Sequence, residues 1–285
     1  MSSTPEVRSL VLRDDLPAPV GLDRLVPAGA TLLVAQPVQP ANADPVGVAV
    51  VRGALPALTL DHLWVRPDLR GQGVGRVLEE LVRIHSSRQG ATVLAVQVPR
   101  GDAVMTALAR GSRVLGEYRS RPVDAGAELP HGFGWRAMAA EEFGSWQECQ
   151  VQAYADENLA SSGGDATLAL ERSRADFARS LPDGLDTADT SIVVLLADGE
   201  PVGHLWLRHH RPGAETFGFD LEVLPARRRE GWGRAAIALA SRLAAEAGDR
   251  RLGLHVFGEN DGARALYARM GFEVQSTKHD LLARS

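Results

Sequence analysis

Two strings in the sequence have the residue types of a phosphate-binding loop placed directly before a helix. The second string, Arg228–Gly233, has the pattern Arg-x-x-Gly-x-Gly and lies between a predicted strand and a stretch of helical apolar periodicity. Glycines let a ligand approach the backbone, and the unpaired N–H groups at a helix start attract phosphate oxygens. Arg228, Arg229 and Arg234 add positive charge at the same place. The string is therefore interpreted as a pyrophosphate cradle.

The first string, which begins at Arg70, repeats the second at a constant shift of 158 residues. The identical pairs are Leu63/Leu221, Val65/Val223, Pro67/Pro225, Arg70/Arg228, Gly73/Gly231, Gly75/Gly233 and Arg76/Arg234. Seven identities in fourteen positions, with one proline and two glycines among them, indicate a tandem duplication. A Walker loop is excluded because neither copy has Gly-Lys-Ser/Thr at the helix start. The dinucleotide fingerprint fits Gly231–Ala236 formally, but it belongs in an opening βαβ unit, and this loop follows three predicted strands.

The elements around the two strings predict an α/β protein with mixed sheets, built as two tandem domains. We predict a first domain over 1–122, a linker rich in turn formers over 123–132 and a second domain over 133–285. Strands are predicted at 31–36, 46–52, 58–65, 93–98, 134–138, 191–196, 202–209, 216–224 and 251–257, and 272–281 is expected to return as strands. Helices are predicted at 73–88, 103–110, 141–159, 167–180, 233–247 and 261–270. The stretch between Leu10 and Thr31 has room for at most one short helix.

Composition excludes several classes of function. The net charge of −5 argues against general binding of nucleic acid, and one cysteine excludes an intramolecular disulfide or a cysteine metal cluster. That residue, Cys149, is expected to be a buried helix residue. No apolar run reaches the ~18–20 residues of a membrane helix, and the first residues do not form a secretory signal. We expect a cytoplasmic monomer or homodimer that binds no membrane.

Both strings resemble motif A of the GCN5-related N-acetyltransferase (GNAT) superfamily, and residues 260–272 resemble its motif B. The resemblance covers 134–282 well and 8–120 in part, and the tandem arrangement is similar to that of the mycothiol synthases. It implies a GNAT fold in each half and acetyl-CoA as cosubstrate, with the pyrophosphate in the loop and the pantetheine arm along the preceding strand. The cofactor-binding residues implied are Val223, Arg228, Arg229, Glu230, Gly231, Trp232, Gly233, Arg234 and Asn260 in the second copy, and Val65, Arg70, Gly71, Gln72, Gly73, Val74, Gly75 and Arg76 in the first.

Acetyl transfer to an amine needs a base for the ammonium proton and an acid for the leaving thiolate. Asp220 and Glu222 share one face of the predicted strand, and Glu222, which is nearer the loop, is the preferred base. The alternative is an ordinary strand carboxylate. The resemblance implies that Tyr267 is the acid. The alternative is a tyrosine that only packs on the core. The resemblance also implies that the Val223 N–H polarises the thioester carbonyl. It further implies that Asn260 contacts the pantetheine arm; the alternative is that Asn260 only caps its helix.

The first copy lacks these groups. Aligning Gly111 with Gly271 sets Ala107 opposite Tyr267 and Arg100 opposite Asn260, while the motif A alignment sets Trp64 opposite Glu222 and His62 opposite Asp220. His62 could replace the base, although a strand histidine is more often structural. We therefore predict a catalytic second domain. The degenerate first domain either binds CoA without turnover or acts as a scaffold.

The amine pocket of this fold is expected under the early helices of the second domain. The predicted substrate-binding residues are Tyr154, Asp156, Glu157 and Asn158. The alternative is that they form a solvated polar helix end. The scattered histidines predict no metal site. The predicted function is direct transfer of an acetyl group from acetyl-CoA to a small-molecule primary amine in a ternary complex. The alternatives are a non-catalytic CoA-binding sensor or scaffold and a nucleotide-binding oxidoreductase.

Overall fold

The computed structural model describes residues 10–15, 26, 29–38, 44–162 and 165–284, with only the backbone of 161–162 and 283–284. The chain divides into two compact units. Unit 1 consists of Met1–Leu115, Ala160–Gly164 and Thr277–Ser285, and unit 2 consists of Gly116–Leu159 and Asp165–Ser276. The chain therefore returns to unit 1 at its C-terminal end.

Unit 1 contains a mixed sheet with a helix packed on its core. Its elements are β1 (Leu10–Arg13), β2 (Ala30–Pro37), β3 (Gly47–Ala54), β4 (Ala57–Val65), α1 (Val74–Arg88), β5 (Val93–Pro99) and α2 (Ala103–Leu108). The strands lie in the order β1 to β5, with β4 and β5 parallel. Residues 277–284 of β12 (Glu273–Arg284) follow β5, where Asp280 accepts a hydrogen bond from the Leu94 N–H. Val74, Leu78 and Val82 recur at helical spacing and pack α1 against this core.

The strands of unit 2 also combine parallel and antiparallel pairing. Its elements are β6 (Ser112–Pro122, of which 116–122 belong here), β7 (Phe133–Ala137), α3 (Ala140–Ser162), α4 (Ala166–Ser180), β8 (Thr190–Ala197), β9 (Glu200–Arg211), β10 (Glu215–Val223), α5 (Trp232–Glu246), β11 (Arg251–Phe257) and α6 (Asp261–Arg269). The strands lie in the order β6-β11-β10-β9-β8-β7. One apolar cluster packs α5 and α6 against the sheet, and another packs α3 and α4 around Trp146 and Trp206. Burial of both faces explains the apolar runs in these strands.

The succession strand, short 3-10 turn, helix, parallel strand, helix occurs in both units, as β4-α1-β5-α2 and as β10-α5-β11-α6. This confirms the predicted mixed α/β class and the tandem repeat. The predicted helices and strands agree with the observed ones within a few residues at each end, and 251–257 matches β11 at both ends. Periodicity located these elements because each has one face on a core.

Two expectations differ from the structure, and one strand was not predicted. The segment 123–132, predicted as a linker, belongs to unit 2, where Val123 and Leu129 pack against the core. The strand β6 was not predicted, since its sequence carries charged residues that are buried in pairs, such as Glu117 with Arg119. Cys149 is exposed on α3 rather than buried. The stretch between 10 and 31, given room for at most one short helix, falls largely outside the described residues, which include β1 at its start.

Candidate functional site

The parallel strands β10 and β11 pair over only four residues and then separate. Their register runs from Glu215–Arg251 to Gly218–Leu254, so 219–223 have no partner on β11. On its other side, β10 shifts register against β9 between Gly218 and Asp220, which makes Phe219 a bulge residue. The result is a wedge-shaped gap that exposes the backbone edge of β10, including the predicted Val223. In unit 1, β4 and β5 likewise pair only from Ala57–Val93 to Leu60–Val96.

The loop that follows β10 leaves the start of α5 open. Gly231, the N-cap, has φ +96° and no side-chain cap, and Arg229 before it also has a positive φ of 68°. The left-handed conformation explains why glycine occupies position 231. By contrast, Asp165 and Asn260 cap α4 and α6 through hydrogen bonds from backbone N–H groups. The first N–H groups of α5 are therefore left for a ligand.

Side chains within this loop hold its shape. Arg228 Nε donates to the Val223 carbonyl at 3.0 Å, which ties the loop to the end of β10. Glu230 accepts hydrogen bonds from Trp232 Nε1 at 2.8 Å and from Arg227 Nε at 2.9 Å, and these bonds lower the pKa of Glu230. Glu230 is thus engaged inside the loop, whereas exposed guanidinium groups remain on the outside at Arg228, Arg229 and Arg234.

Unit 1 repeats this loop in detail. Arg70 Nε donates to the Val65 carbonyl at 3.0 Å, the same contact and distance as in unit 2. Gly71 and Gly73 have φ of +76° and +85°, and α1 begins without a side-chain cap. Other predicted positions are engaged elsewhere: Gln72 donates to the Asp68 carbonyl at 2.9 Å, and the Val74 side chain is buried in the core. Gly75 and Arg76 follow in the first turn of α1, and Arg76 is exposed.

A histidine and two carboxylates meet on one face of β9 and β10. His204 Nε2 lies 2.5 Å from Asp220 Oδ2 and 3.6 Å from Glu222 Oε2. Gln150 of α3 places its Nε2 3.0 Å from the same His204 nitrogen. The His204–Asp220 contact is close but is not aligned as a hydrogen bond, and the buried Asp220 Oδ2 has no hydrogen-bond partner among the described residues. An unpaired buried acceptor of this kind is suited to a ligand proton.

The charge of Asp220 acts on two further side chains of unit 2, Tyr267 and Glu157. Burial, with the charge of Asp220 as the second cause, raises the pKa of Tyr267 to about 12. Burial of its carboxyl group and the charge of Asp220 also raise the pKa of Glu157, although part of that side chain is exposed. Tyr267 therefore keeps its proton at neutral pH, as an acid must. The carboxylates favour a cation among them.

The four substrate residues predicted from α3 divide into two pairs. The side chains of Glu157 and Tyr154 are both partly exposed, and burial of their polar groups raises the pKa of each. Asp156 is exposed and accepts from Gln152 at 2.8 Å, while Asn158 donates to the Tyr154 carbonyl along the helix. Glu157 thus lies close enough to Asp220 for the two charges to interact, whereas Asp156 lies on the exposed side of α3.

Sequence reasoning missed Gln150 and His204 as members of the site. His204 is the register partner of Glu222, and Trp206 is the partner of Asp220. The sequence does carry an Asp-Gly hairpin signal before His204. The bulge at Phe219, however, shifts the register of β10 against β9, so counting residues along the sequence does not give the partner of His204. Within the described residues, no group of three or more His, Cys, Asp or Glu has an arrangement that could hold a metal ion.

Asn260 caps α6 by accepting from the Ala263 N–H at 3.0 Å, and Asp102 caps α2 by accepting from the Met105 N–H at 2.9 Å. These caps are 158 residues apart, the same shift as the loops. The earlier alignment of Arg100 with Asn260 is therefore wrong at this position. It was anchored at the helix ends, and α6 is longer than α2.

We expect Asn260→Asp to separate the cap from a cofactor contact. Aspartate keeps the acceptor oxygen of the cap but loses the Nδ2 donor that a pantetheine carbonyl needs. The melting temperature should stay within about 2 °C, and the KM for the acetyl-CoA that the motif resemblance implies should rise about fivefold. An unchanged KM would mean that Asn260 only caps α6 and does not contact the cofactor. Asp102→Asn is the matched control in unit 1.

Three comparisons place these features among known proteins. The model of the "Acetyltransferase (GNAT) family" matches residues 140–272. The uncharacterized N-acetyltransferase YdgE of Bacillus subtilis is 31% identical over 144 residues, which are 50% of this chain and 92% of that protein. Mycothiol acetyltransferase of Kytococcus sedentarius is 30% identical over 222 residues, which are 73% of this chain and 69% of that protein. A GCN5-related N-acetyltransferase from Sphaerobacter thermophilus has a similar fold, with a TM-score of 0.55, 17% identity and coverage of 90% of this chain and 81% of that one.

Proposed function

Since the chain belongs to the GNAT family of acetyltransferases, we propose that unit 2 transfers an acetyl group from acetyl-CoA directly to a small-molecule primary amine. The observation that carries this proposal is the group formed by His204, Asp220 and Tyr267 on the elements that flank the wedge. It supplies a proton acceptor and a proton donor beside an exposed strand edge. No helix of the described residues is long and apolar enough to cross a membrane.

Acetyl-CoA is the acyl donor of this family, and the residues present fit it. The unpaired N–H groups at the start of α5 and the exposed Arg228, Arg229 and Arg234 would hold the pyrophosphate. The unpaired edge of β10 would pair with the amides of the pantetheine arm. When bound, acetyl-CoA supplies an activated acyl carbon with a thiolate leaving group.

The base is Asp220 acting with His204. Glu222, the base favoured from sequence, is a weaker candidate for two reasons. Its side chain is more exposed, 37% against 24% for Asp220, and it lies 3.9 Å from Arg228. Asp220 takes one proton from the ammonium group, becomes a neutral carboxyl group beside His204 Nε2 and later releases that proton to solvent. The amine nitrogen then forms the C–N bond as the C–S bond breaks, Tyr267 gives its proton to the sulfur, and the second N–H proton of the attacking nitrogen restores the tyrosine.

Unit 1 is proposed to be non-catalytic. It keeps the loop contact from Arg70 to Val65, but Val48, His62 and Trp64 occupy the positions of His204, Asp220 and Glu222. Two roles remain open for it, CoA binding without turnover and scaffolding. A protein that bound CoA in both units but transferred nothing would instead be a sensor, which is the second candidate function.

Reversing charge in each loop tests which unit carries the function. Arg228→Glu breaks the contact with the Val223 carbonyl and places a negative charge near Glu222, so acetyl-CoA affinity in unit 2 should fall at least about tenfold. The matched change Arg70→Glu should leave the rate of transfer within about twofold. Calorimetric titration with acetyl-CoA and initial rates check both. An equal loss of rate in both variants would contradict the assignment to unit 2.

A further inference from the structure

Three aromatic side chains pack together beside the carboxylates and are here called the aromatic row: Trp206, Phe217 and Phe219. Phe219 stacks on Trp206 with ring centroids 4.6 Å apart and planes at 20°, and Phe217 meets Phe219 edge to face at 5.2 Å. Phe177 of α4 supports Trp206 from within the core at 5.3 Å. Trp206 is buried, whereas Phe219 is 45% exposed. The row thus presents one large ring to solvent on a rigid base.

The aromatic row directly adjoins the proposed base. Phe219 precedes Asp220 along β10, so their Cα atoms are about 3.8 Å apart. Trp206 is the register partner of Asp220, and His204 lies two residues before Trp206 on β9. Two of these neighbours also carry buried polar atoms without a hydrogen-bond partner among the described residues, Asp220 Oδ2 and Trp206 Nε1. An exposed ring and an unpaired acceptor therefore occupy neighbouring positions at the bulge of β10.

Unit 1 shows that the bulge does not need aromatic residues. The bulge of β4 against β3 lies at the equivalent place, between Leu60 and His62. The bulge residue there is Asp61, which binds Arg52 through two hydrogen bonds of 2.8 and 3.1 Å. Val50 and Thr59 take the positions of Trp206 and Phe217. The aromatic row is thus particular to the unit that carries the catalytic group.

We propose that the acceptor of unit 2 is a primary arylalkylamine, whose aromatic ring lies on Phe219 and whose ammonium group reaches Asp220. This inference rests on the proposed function and names its substrate class. Offset or edge-to-face contacts suit a flat ring on Phe219. The carboxylates of Glu157, Asp220 and Glu222 select the cation, and the adjacency of Phe219 and Asp220 at the bulge calls for a short link between the ring and the ammonium group. A polyamine would use the carboxylates but would leave the row uncovered.

Calorimetric titration of the full chain with two amines tests this proposal without relying on turnover. The probes are 2-phenylethylamine and n-butylamine, which share an ammonium group and differ in the ring, each titrated with CoA present. We expect 2-phenylethylamine to bind about tenfold tighter. Phe219→Ala should remove that difference, lowering the affinity for 2-phenylethylamine about tenfold and for n-butylamine less than twofold. Trp135→Ala, which removes another exposed aromatic of unit 2, is the control and should change neither affinity.

Equal affinities for the two amines, binding of neither, or an equal effect of Phe219→Ala on both would overturn the proposal. Initial rates of CoA release with the same amines separate this failure from that of the proposed function. Acetylation of n-butylamine as fast as 2-phenylethylamine would overturn the substrate class and leave the acetyltransferase standing. Preferential binding of 2-phenylethylamine without any acetylation would support the aromatic row and contradict the proposed function.

Discussion

Tyr267→Phe should lower the rate of acetyl transfer by about 100-fold, while the Kd for acetyl-CoA stays within about twofold. The variant removes only the hydroxyl that protonates the leaving thiolate, and general acids contribute ~10²–10⁴-fold to such steps. The ring still packs on Phe272, at a centroid distance of 5.5 Å, so the fold should be retained. Initial rates and calorimetry on the same preparation check the two halves of the prediction. A rate within threefold of the unmodified protein would remove Tyr267 from the mechanism.

Tyr118→Phe is the matched control for that experiment. Burial and the nearby Glu215 raise the pKa of Tyr118 to about 12 as well, and its hydroxyl donates to Glu215. This contact leaves the group around Asp220 untouched. Loss of the donor should lower the melting temperature, because Glu215 is buried, but the rate per folded molecule should change less than threefold. The two variants thus separate a missing acid from a missing hydrogen bond.

The pH dependence expected from Tyr267 follows from the raised pKa of about 12. The folded-state value lies above the ordinary value near 10, so its contribution to stability is fully present below pH ~10 and is lost as the pH rises toward 12. The acid also stays protonated throughout the neutral range. No alkaline loss of rate below pH ~10 should therefore come from Tyr267, and a pH–rate profile checks this. An alkaline limb near pH 8 that disappears in Tyr267→Phe would contradict it.

Asp220→Asn is the second change with a large expected effect, again a loss of about 100-fold in rate. Asparagine keeps the shape of the side chain but cannot accept the ammonium proton. Because the charge of Asp220 raises the pKa values of Tyr267 and Glu157, both should move down toward their ordinary values in this variant. Ultraviolet titration of the tyrosines and carbon-detected NMR of the Glu157 carboxyl measure these shifts.

Glu222→Gln decides between the two carboxylates. It removes the charge 3.6 Å from His204 Nε2 but leaves Asp220 intact, so the rate should fall less than about tenfold. A larger loss in Glu222→Gln than in Asp220→Asn would restore Glu222 as the base. Unchanged pKa values of Tyr267 and Glu157 in Asp220→Asn would contradict the proximity on which the proposed mechanism depends.

Apolar periodicity and glycine patterns were sufficient to predict the repeated loop and most helices and strands. Each of these features is local: α1 and α5 carry their apolar stripes within one helix, and Gly73 and Gly231 sit where a left-handed N-cap is needed. The tandem organisation followed from the constant spacing of the two loops. Local signals therefore located the elements and the repeated loop.

The rest depended on pairing between distant segments. Position along β9 does not reveal that His204 meets Asp220, because one bulge at Phe219 changes which residues share a face. The return of 277–284 to unit 1 joins residues that are far apart in the sequence, as in the Leu94–Asp280 hydrogen bond across 186 positions. Charged residues such as Glu117 and Arg119 concealed β6, since their burial relies on each other and on Arg264.

Amine-dependent release of CoA from acetyl-CoA tests the proposed function most directly. The full chain would be assayed for free thiol with a panel of primary amines, and calorimetry with acetyl-CoA would run in parallel. We predict that thiol release requires an amine and that the acetylated amine forms in equal amount by mass spectrometry. Acetyl-CoA binding without thiol release for any amine of the panel would contradict catalysis and favour a CoA-binding sensor.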